Sequence, residues 1–361
     1  MKYQSSKRIL LAMGAATLLG IRPAVTQAEA IQHWSIASNY PANTVAGHAI
    51  KRFAELANQD SDGWLKVTPE FALSSRDNTA QLVSSGQLEI GDAFSGVLSH
   101  LDPLFELSML PFQVQSVEQA HELADLARPA YAKKLQAHGL HLLFITPWPG
   151  TGLWSRRTLG SDIQALRIRT YDNSSAKVLS QLGAQANAYP IQQVGHLIQA
   201  GELDGVLSSG DGAVGTSFAH SLPNFTAINY AFPLSFVFLS NSKYDALTDA
   251  QQAQLDAAAA TTEREQWQSL RSRIEQNHRN LALQGVRVAP CVDSALANNL
   301  QRTEKASLAR WRARVGAQEA RILDHFQRQA TREKCIGVKH TVLTENQRLP
   351  GHVALTELPN G

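Results

Sequence analysis

The sequence predicts an α/β fold with two lobes. Short apolar segments of strand length alternate along the chain with longer segments of helical periodicity, which is typical of α/β proteins with largely parallel sheets. The alternation runs through two successive series, and two such series indicate two similar lobes. About 330 residues follow the amino-terminal segment described below, which exceeds the size of one ordinary hydrophobic core.

The first series predicts four strands and three helices. Its strand candidates are 33–37, 65–71, 90–94 and 140–145, and its helix candidates are 44–57, 78–85 and 117–137. The second series predicts six strands and two helices. Its strand candidates are 152–155, 166–170, 187–190, 205–208, 225–230 and 236–240, and its helix candidates are the segment that ends at 182 and the segment 191–200.

A very long helix is predicted after the second series. From residue 248 to about 283 the chain is rich in Ala, Gln, Glu and Arg and contains no Gly or Pro, so one long helix or two nearly continuous ones are expected. At roughly 1.5 Å per residue, such a helix can run across both lobes. Further helical periodicity covers about 294–332, and the segment 333–361, which has no clear periodicity, is predicted to be a tail.

The first 30 residues are interpreted as a cleaved export signal. Lys2, Lys7 and Arg8 precede an apolar run over 9–21, and Ala28-Glu29-Ala30, with alanine at both ends, gives a plausible cleavage point. The run is too short to span a bilayer comfortably, so the mature protein is predicted to be soluble and outside the cytoplasm. Without the four basic residues and the one acidic residue of this segment, the net charge falls from +2 to −1, which argues against nucleic acid as a partner.

Two cysteines, Cys291 and Cys335, lie in the carboxyl-terminal fifth of the chain. An even number of cysteines in an oxidising compartment favours a disulfide between them, with two separate free thiols as the alternative. A metal site is not expected, because neither cysteine has a second cysteine or a spaced histidine beside it.

Arg169 is the strongest candidate for a ligand contact. In the alternating run 166–169, Arg167 and Arg169 share one face of a strand. Asp172, Asn173, Ser174 and Ser175 then offer helix N-cap residues, and a cation at a strand end beside a helix N-terminus suits an anion. The guanidinium can also hold a carboxylate bidentately. A surface arginine in a salt bridge is the alternative reading of this run alone.

Motifs for catalysis or cofactor binding are weak. Gly150-Thr151-Gly152 lacks the third glycine and the following helix of a dinucleotide loop, and Val206 stands where a nucleophile elbow around Ser208 needs glycine. The closest histidine pair, His138 and His141, is interpreted as solvated. We therefore expect no cofactor, no metal and no enzymatic activity.

Residues suited to recognition are more frequent. Aromatic side chains lie at or near the ends of predicted strands, where open α/β sheets form their clefts: Phe94, Trp148, Trp154, Tyr171 and Phe232. Taken alone, each of them is better explained by a place in the core. Ser208, Ser209 and Gly210 follow a strand and offer hydroxyl and backbone N–H donors for an oxyanion, although an ordinary turn explains them as well.

Several motifs together resemble one known family. The segment 161–169 is similar to the pattern D-L-x-G-L-K-I-R, with Asp162 seven residues before Arg169. The segments 182–184, 199–205 and 110–112 are similar to the patterns L-G-A, A-L-x-x-G-x-x-D-G and L-P-F. To about residue 315, the mature chain resembles the substrate-binding proteins of TRAP (tripartite ATP-independent periplasmic) transporters, the DctP-like group.

The resemblance implies a type II-like periplasmic binding protein fold, with two α/β lobes, a hinge and a long helix. It also implies that the two lobes close around a small organic acid and that the protein delivers this acid to a TRAP membrane permease. It implies that Arg169 holds the ligand carboxylate. The expected first lobe comprises 31–150 and about 231–275, and the expected second lobe comprises 151–230 and about 276–332.

Finer features of the sequence suggest the kind of ligand. The segments 40–43, 147–155, 169–171 and 208–210 resemble a subgroup that binds organic acids with a larger, sometimes aromatic, body. Trp154 stands where many members have a second arginine, and Phe232 and Ser235 replace polar and aromatic residues of the subgroup, so a monocarboxylate with an apolar body is expected. The predicted ligand-binding residues are Arg169, Trp154, Tyr171, Asn173, Ser208, Ser209, Gly210, Phe232, Asn43, Trp148 and Phe94.

Two other functions remain open at this point. One is a secreted α/β enzyme that acts on a carboxylate, which would need a positioned acid, base or nucleophile. The other is a ligand sensor that signals to a membrane receptor, which the same fold would serve.

Overall fold

A computed structural model of the chain describes Met1, residues 30–74 and residues 78–329. These residues form two β-sheets with helices packed around them. The expected α/β architecture is confirmed. The export signal predicted for 1–30 and the tail predicted for 333–361 lie almost entirely outside the described residues. Within the described part of the chain, no helix is both long enough and apolar enough to cross a membrane.

The first sheet has five strands in the order β2-β1-β3-β10-β4. Their bounds are β1 Gln32–Ala37, β2 Leu65–Glu70, β3 Ile90–Phe94, β4 Leu140–Pro147 and β10 Leu234–Ser240. Strand β1 pairs in parallel with β2 and β3, whereas β10 runs antiparallel to its neighbours β3 and β4.

The second sheet has six strands in the order β11-β9-β5-β8-β6-β7. Their bounds are β5 Gly152–Ser155, β6 Arg167–Thr170, β7 Gln185–Ala188, β8 Gly205–Ser208, β9 Asn224–Thr226 and β11 Arg287–Ala289. Strand β5 alone among them runs antiparallel to its neighbours, β8 and β9. Strand β7 lies two residues before its predicted position, and β11 was not predicted from the sequence.

The antiparallel strand in each sheet is the one that receives the chain from the other sheet directly, without an intervening helix. The chain leaves the first sheet after β4 and enters β5, and it returns after β9 into β10. Because each crossing stays at the edge where the parallel strands end, the receiving strand must run in the opposite direction. This explains why the sheets are largely but not wholly parallel.

The two crossing segments pair with each other between the sheets. Thr151 donates its backbone N–H to the carbonyl oxygen of Ala231 (2.8 Å) and accepts from the N–H of Tyr230 (3.0 Å), and Trp148 donates to the carbonyl of Pro233 (2.9 Å). Short paired connections of this kind let two lobes rotate while the hydrogen bonds persist.

The helices and the 3-10 helix pack on both faces of each sheet. Their bounds are α1 Val45–Asp60, α2 Thr79–Ser84, α3 Ser95–Leu98, the 3-10 helix Pro103–Met109, α4 Val117–Ala137, α5 Asn173–Ser180, α6 Ile191–Gln199, α7 Ala213–Ala219, α8 Asn241–Asp245, α9 Asp249–Leu283, α10 Ser294–Arg312 and α11 Ala317–Gln329. The short helices α3, α7 and α8 and the 3-10 helix were not predicted from the sequence.

The predicted long helix is present as one continuous element, α9, of 35 residues. It begins with a capping box between Thr248 and Gln251. Leu255 and Ala259 pack in the core that α1 and the first sheet share, whereas Leu281 packs in a core of the second sheet. Helix α9 therefore spans both lobes.

The carboxyl-terminal helices differ from the expected boundaries. The sequence assigned 276–332 to the second lobe, but Trp311 and Phe326 are buried in the core that α4 shares with the first sheet. Trp311 donates its indole N–H to the carbonyl of Pro103 (2.8 Å), and Arg314 pairs with Glu106. The end of α10 and all of α11 thus pack on the first lobe, because their large apolar side chains are buried there.

Candidate functional site

A small cavity lies between the two sheets, at the edge where the parallel strands end. Its volume is about 40 Å³. It is lined by Tyr40, Phe94, Trp148, Thr151, Arg169, Tyr171, Ile191, Ser208, Ser209, Asp211, Val214 and Pro233. Both lobes and both crossing segments contribute to the lining. This is where an open α/β sheet places a ligand.

Arg169 is the cation of this cavity. It lies in β6 between β7 and β8, and only 5% of it is exposed. Its Nε donates to the carbonyl of Tyr189 (2.8 Å) and its Nη1 to that of Leu207 (3.3 Å). It forms no ion pair with any described carboxylate. Burial lowers the pKa of its guanidinium to about 10, because a low-dielectric site disfavours the charged form.

Arg167, two residues earlier on the same strand, lies at the surface in a salt bridge, which is the alternative that the sequence left open for this run. Its side chain is 44% exposed and makes two hydrogen bonds with Asp204, Nε to Oδ2 (2.9 Å) and Nη2 to Oδ1 (2.8 Å). The salt-bridge reading thus describes Arg167. Arg169 is the arginine that remains buried without a carboxylate.

Aromatic rings form one wall of the cavity. The ring centres of Tyr40 and Trp148 are 4.6 Å apart, and that of Phe94 lies 6.3 Å and 6.2 Å from them. Tyr171, from the second lobe, meets Phe94 edge to face at 5.7 Å. These contacts join the two lobes across the cavity.

Polar groups complete the lining. The hydroxyl of Tyr171 is buried beside Thr151 but makes no hydrogen bond of standard geometry with a described residue, and burial raises the pKa of this phenol. Ser208 accepts a hydrogen bond from the backbone N–H of Gly210 (3.2 Å) through its Oγ. An unpartnered buried hydroxyl beside a buried guanidinium leaves donors for a ligand oxygen.

The structure brings six of the eleven predicted ligand-binding residues to the cavity. They are Arg169, Tyr171, Ser208, Ser209, Trp148 and Phe94.

The remaining five lie elsewhere. Trp154 is fully buried in a core cluster with side chains of α6 and α7, on the other side of β5, because successive side chains of a strand point to opposite faces. Phe232 is buried in the core of the first lobe. Gly210 packs on the indole of Trp154. Asn43 and Asn173 are exposed.

Six lining residues were not among the predicted set. They are Tyr40, Thr151, Ile191, Asp211, Val214 and Pro233. Tyr40 had a signal, since it follows the first strand and begins the family-like segment 40–43. Thr151 lies within the family-like segment 147–155 but was not singled out. The other four carry no local pattern, because their place depends on how the two lobes meet.

The described residues contain no candidate metal site, and Cys291 lies away from this cavity. Residues 30–74 and 78–329 contain no group of three or more His, Cys, Asp or Glu side chains placed to hold a metal ion. Cys291 is disulfide-bonded and lines a separate cavity of about 380 Å³ on α10 and the 227–229 crossing. Cys335, its predicted partner, lies outside the described residues.

Comparisons with known proteins agree with this architecture. Residues 36–310 match the family model described as bacterial extracellular solute-binding protein, family 7 (DctP). Two structures from Bordetella pertussis, the extracytoplasmic solute receptors DctP6 and DctP7, both binding pyroglutamic acid, superpose with a TM-score of 0.77. They are 25% and 24% identical, and the match covers 82% of this chain and 100% and 99% of theirs.

A third similar structure is the sugar acid binding protein DctPAm from Advenella mimigardefordensis, in complex with galactonate. Its TM-score is 0.76 at 20% identity, over 83% of this chain and 99% of that one. The matched proteins are solute-binding proteins, and the two-lobed fold is the same in all of them. With a family model that matches well over half of its length, this chain belongs to the bacterial extracellular solute-binding proteins of family 7.

Proposed function

We propose that this protein captures a small organic monocarboxylate in the periplasm and delivers it to a TRAP membrane permease, with Arg169 as the carboxylate clamp. The observation that carries the proposal is the burial of Arg169 without a described carboxylate. Burying a charge is costly unless the charge is paired. A ligand carboxylate would supply the missing partner.

The donors of Arg169 support a bidentate contact. A guanidinium has five N–H groups, and two of them donate to the carbonyls of Tyr189 and Leu207. The other three, on Nη1 and Nη2, remain for a carboxylate. The Tyr171 hydroxyl is a further donor beside them.

The wall opposite the clamp favours a compact ligand with an apolar or flat body. Tyr40, Phe94 and Trp148 present ring surfaces, and Ile191, Val214 and Pro233 add apolar lining. The arginine clamp has a single cation, which favours one carboxylate. Pyroglutamic acid, bound by two similar receptors, combines one carboxylate with a small ring and is our first candidate.

Closure of the two lobes would let the permease distinguish loaded from empty protein. A ligand that touches both lobes makes contacts that exist only in the closed arrangement, and it therefore shifts the population toward that arrangement. Delivery outside the cytoplasm agrees with the export signal predicted for 1–30.

A thermal-shift screen with pyroglutamate, orotate and galactonate tests the proposal. We expect stabilisation by at least one of them, loss of that stabilisation in Arg169→Ala, and its retention in the matched control Arg167→Ala, whose arginine is exposed and paired with Asp204. Equal stabilisation of wild type and Arg169→Ala would refute the clamp. Chemical conversion of the added acid would refute a binding protein in favour of an enzyme.

A further inference from the structure

The loop between β8 and α7 reaches from the second lobe to the first. It carries Asp211, which is 1% exposed, between Gly210 and Gly212 with φ of +64° and +57°. A side chain at 212 would collide with the carbonyl oxygen of Asn43. Two glycines in the left-handed region thus turn the loop so that the Asp211 side chain meets the other lobe.

The Asp211 carboxylate accepts four hydrogen bonds. Its Oδ2 accepts from the backbone N–H of Val45 (2.7 Å), the first residue of α1, and from Nη2 of Arg273 (2.9 Å). Its Oδ1 accepts from Nε of Arg273 (2.6 Å) and from Nδ2 of Asn277 (2.6 Å). The N–H of Val45 has no partner within its helix, so Asp211 satisfies it from the opposite lobe.

Arg273 extends this contact to further atoms of the first lobe. Its Nη2 also donates to the carbonyl of Asn43 (2.6 Å), and its Nη1 lies 3.1 Å from Nδ1 of His48. Whichever lobe carries this part of α9 during opening, either the bonds of Arg273 to Asp211 or those to Asn43 and His48 must break. The bond from Val45 to Asp211 breaks in both cases.

Asp211 also lines the cavity, but its acceptor capacity is used. A carboxylate has about four lone-pair sites, and four protein donors already occupy them. Its contacts are made between protein atoms and act on the two lobes whether or not a ligand is present.

We infer that Asp211 is a positioning residue that latches the lobes in the closed arrangement through Val45 and Arg273 and thereby sets the rate of ligand release. For ligand release, the inference rests on the proposed function. For closure of the lobes, it rests on the geometry of these contacts alone. It also accounts for the position of Ser208 and Ser209, which the same loop holds against the cavity.

The test compares Asp211→Asn and Arg273→Gln with wild type and with Glu265→Gln. Glu265 is a matched control, since it pairs with Arg52 (Nε to Oε2, 2.8 Å) between α9 and α1 without contacting the second lobe. Release of L-pyroglutamate is followed by stopped-flow tryptophan fluorescence. The distance between spin labels at Lys51 and Ser180, exposed on α1 and α5, reports closure of the ligand-free protein.

We expect ligand release to be at least tenfold faster in Asp211→Asn and in Arg273→Gln than in the wild type. In the double variant the two effects on the release rate should be less than additive. Both single variants should have a lower closed population. Glu265→Gln should release at the wild-type rate. Wild-type release from Arg273→Gln would overturn the latch, and so would lowered melting temperatures with unchanged release. If the wild-type protein does not bind pyroglutamate, pyroglutamate is not its ligand, and the latch is then judged from the ligand-free proteins alone. Equal closed populations in the wild type and in the two variants would overturn the latch.

Discussion

Gly210 lies directly against the indole of Trp154. A Cβ on Gly210 would lie 2.9 Å from Cε2 of that ring and closer still to Cζ2. Trp154 is held in turn by Phe225 and Phe218, at 5.1 Å and 5.5 Å between ring centres. The tryptophan that the sequence suggested as a ligand wall therefore supports the loop that carries Ser208, Ser209 and Asp211.

Gly210→Ala should destabilise the protein by about 1 to 3 kcal/mol, since the added methyl is forced onto the indole at a φ of +64° that favours glycine. Urea denaturation measures the loss. Gly195→Ala, in the middle of α6, is the control, because no atom lies within 4 Å of the position that its new Cβ would take, and it should gain up to about 1 kcal/mol. Equal effects of the two changes would contradict the packing argument.

Trp154→Phe and Trp148→Phe should separate stability from binding. Trp154 is fully buried in the core, so its truncation should lower the melting temperature, and it should affect affinity only through the loop that it supports and less than Trp148→Phe does. Trp148 lines the cavity, and its indole N–H donates to Oγ of Ser235 (3.0 Å), so the affinity should fall, with a stability loss of about 1 kcal/mol. Calorimetric titration with the acid identified in the screen measures affinity. The reverse pattern would place Trp154 in the ligand site.

Tyr171→Phe should raise or preserve the stability of the ligand-free protein and weaken binding. The hydroxyl is buried and makes no hydrogen bond of standard geometry with a described residue, and relieving an unsatisfied polar group is worth about 1 to 3 kcal/mol at most. In the proposed complex the same hydroxyl would donate to the ligand, so its loss should reduce affinity about tenfold, the equivalent of roughly 1.4 kcal/mol. Unchanged affinity would remove Tyr171 from the proposed contacts.

Asp92→Asn should change how stability depends on pH. Asp92 lies in β3, 1% exposed, with Oδ2 accepting from Ser38 (2.7 Å) and with the hydroxyl of Ser235 close to the carboxyl. Burial raises the pKa of this carboxyl to about 7. Between about pH 4 and 7 the folded protein keeps a proton that the unfolded chain has lost, so stability falls as pH rises, by at most about 1.4 kcal/mol per pH unit.

Asp92→Asn removes the group that holds this proton, so the stability of the variant relative to the wild type should increase from pH 4 to 7 and then level off. Urea denaturation at several pH values measures the difference. Asp204→Asn is the opposite control, because hydrogen bonds from Arg167 lower the pKa of that carboxyl and its stabilising contribution is lost as pH falls. Parallel curves for wild type and Asp92→Asn would contradict the assignment.

Local patterns were sufficient for most elements of the fold. Strands β3, β5 and β8 and helix α6 stand within a residue of their predicted bounds, because alternation and helical period are properties of adjacent residues. Strand β11 has three residues and is paired only with β9 among the described strands, so no local period could reveal it. The packing of Trp311 and Phe326 on the first lobe likewise depends on contacts distant in sequence.

By itself, the sequence determined the two-lobed α/β architecture, the long helical segment after residue 248 and the family, because these depend on periodicity and on motifs of contiguous residues. It also singled out Arg169. Only the tertiary structure decided that Arg169 is buried while Arg167 is paired at the surface, that Trp154 faces the core, and that Asp211 joins the lobes. The physical reason is that burial, pairing and contact between lobes are set by residues far apart in the chain, which no local pattern encodes.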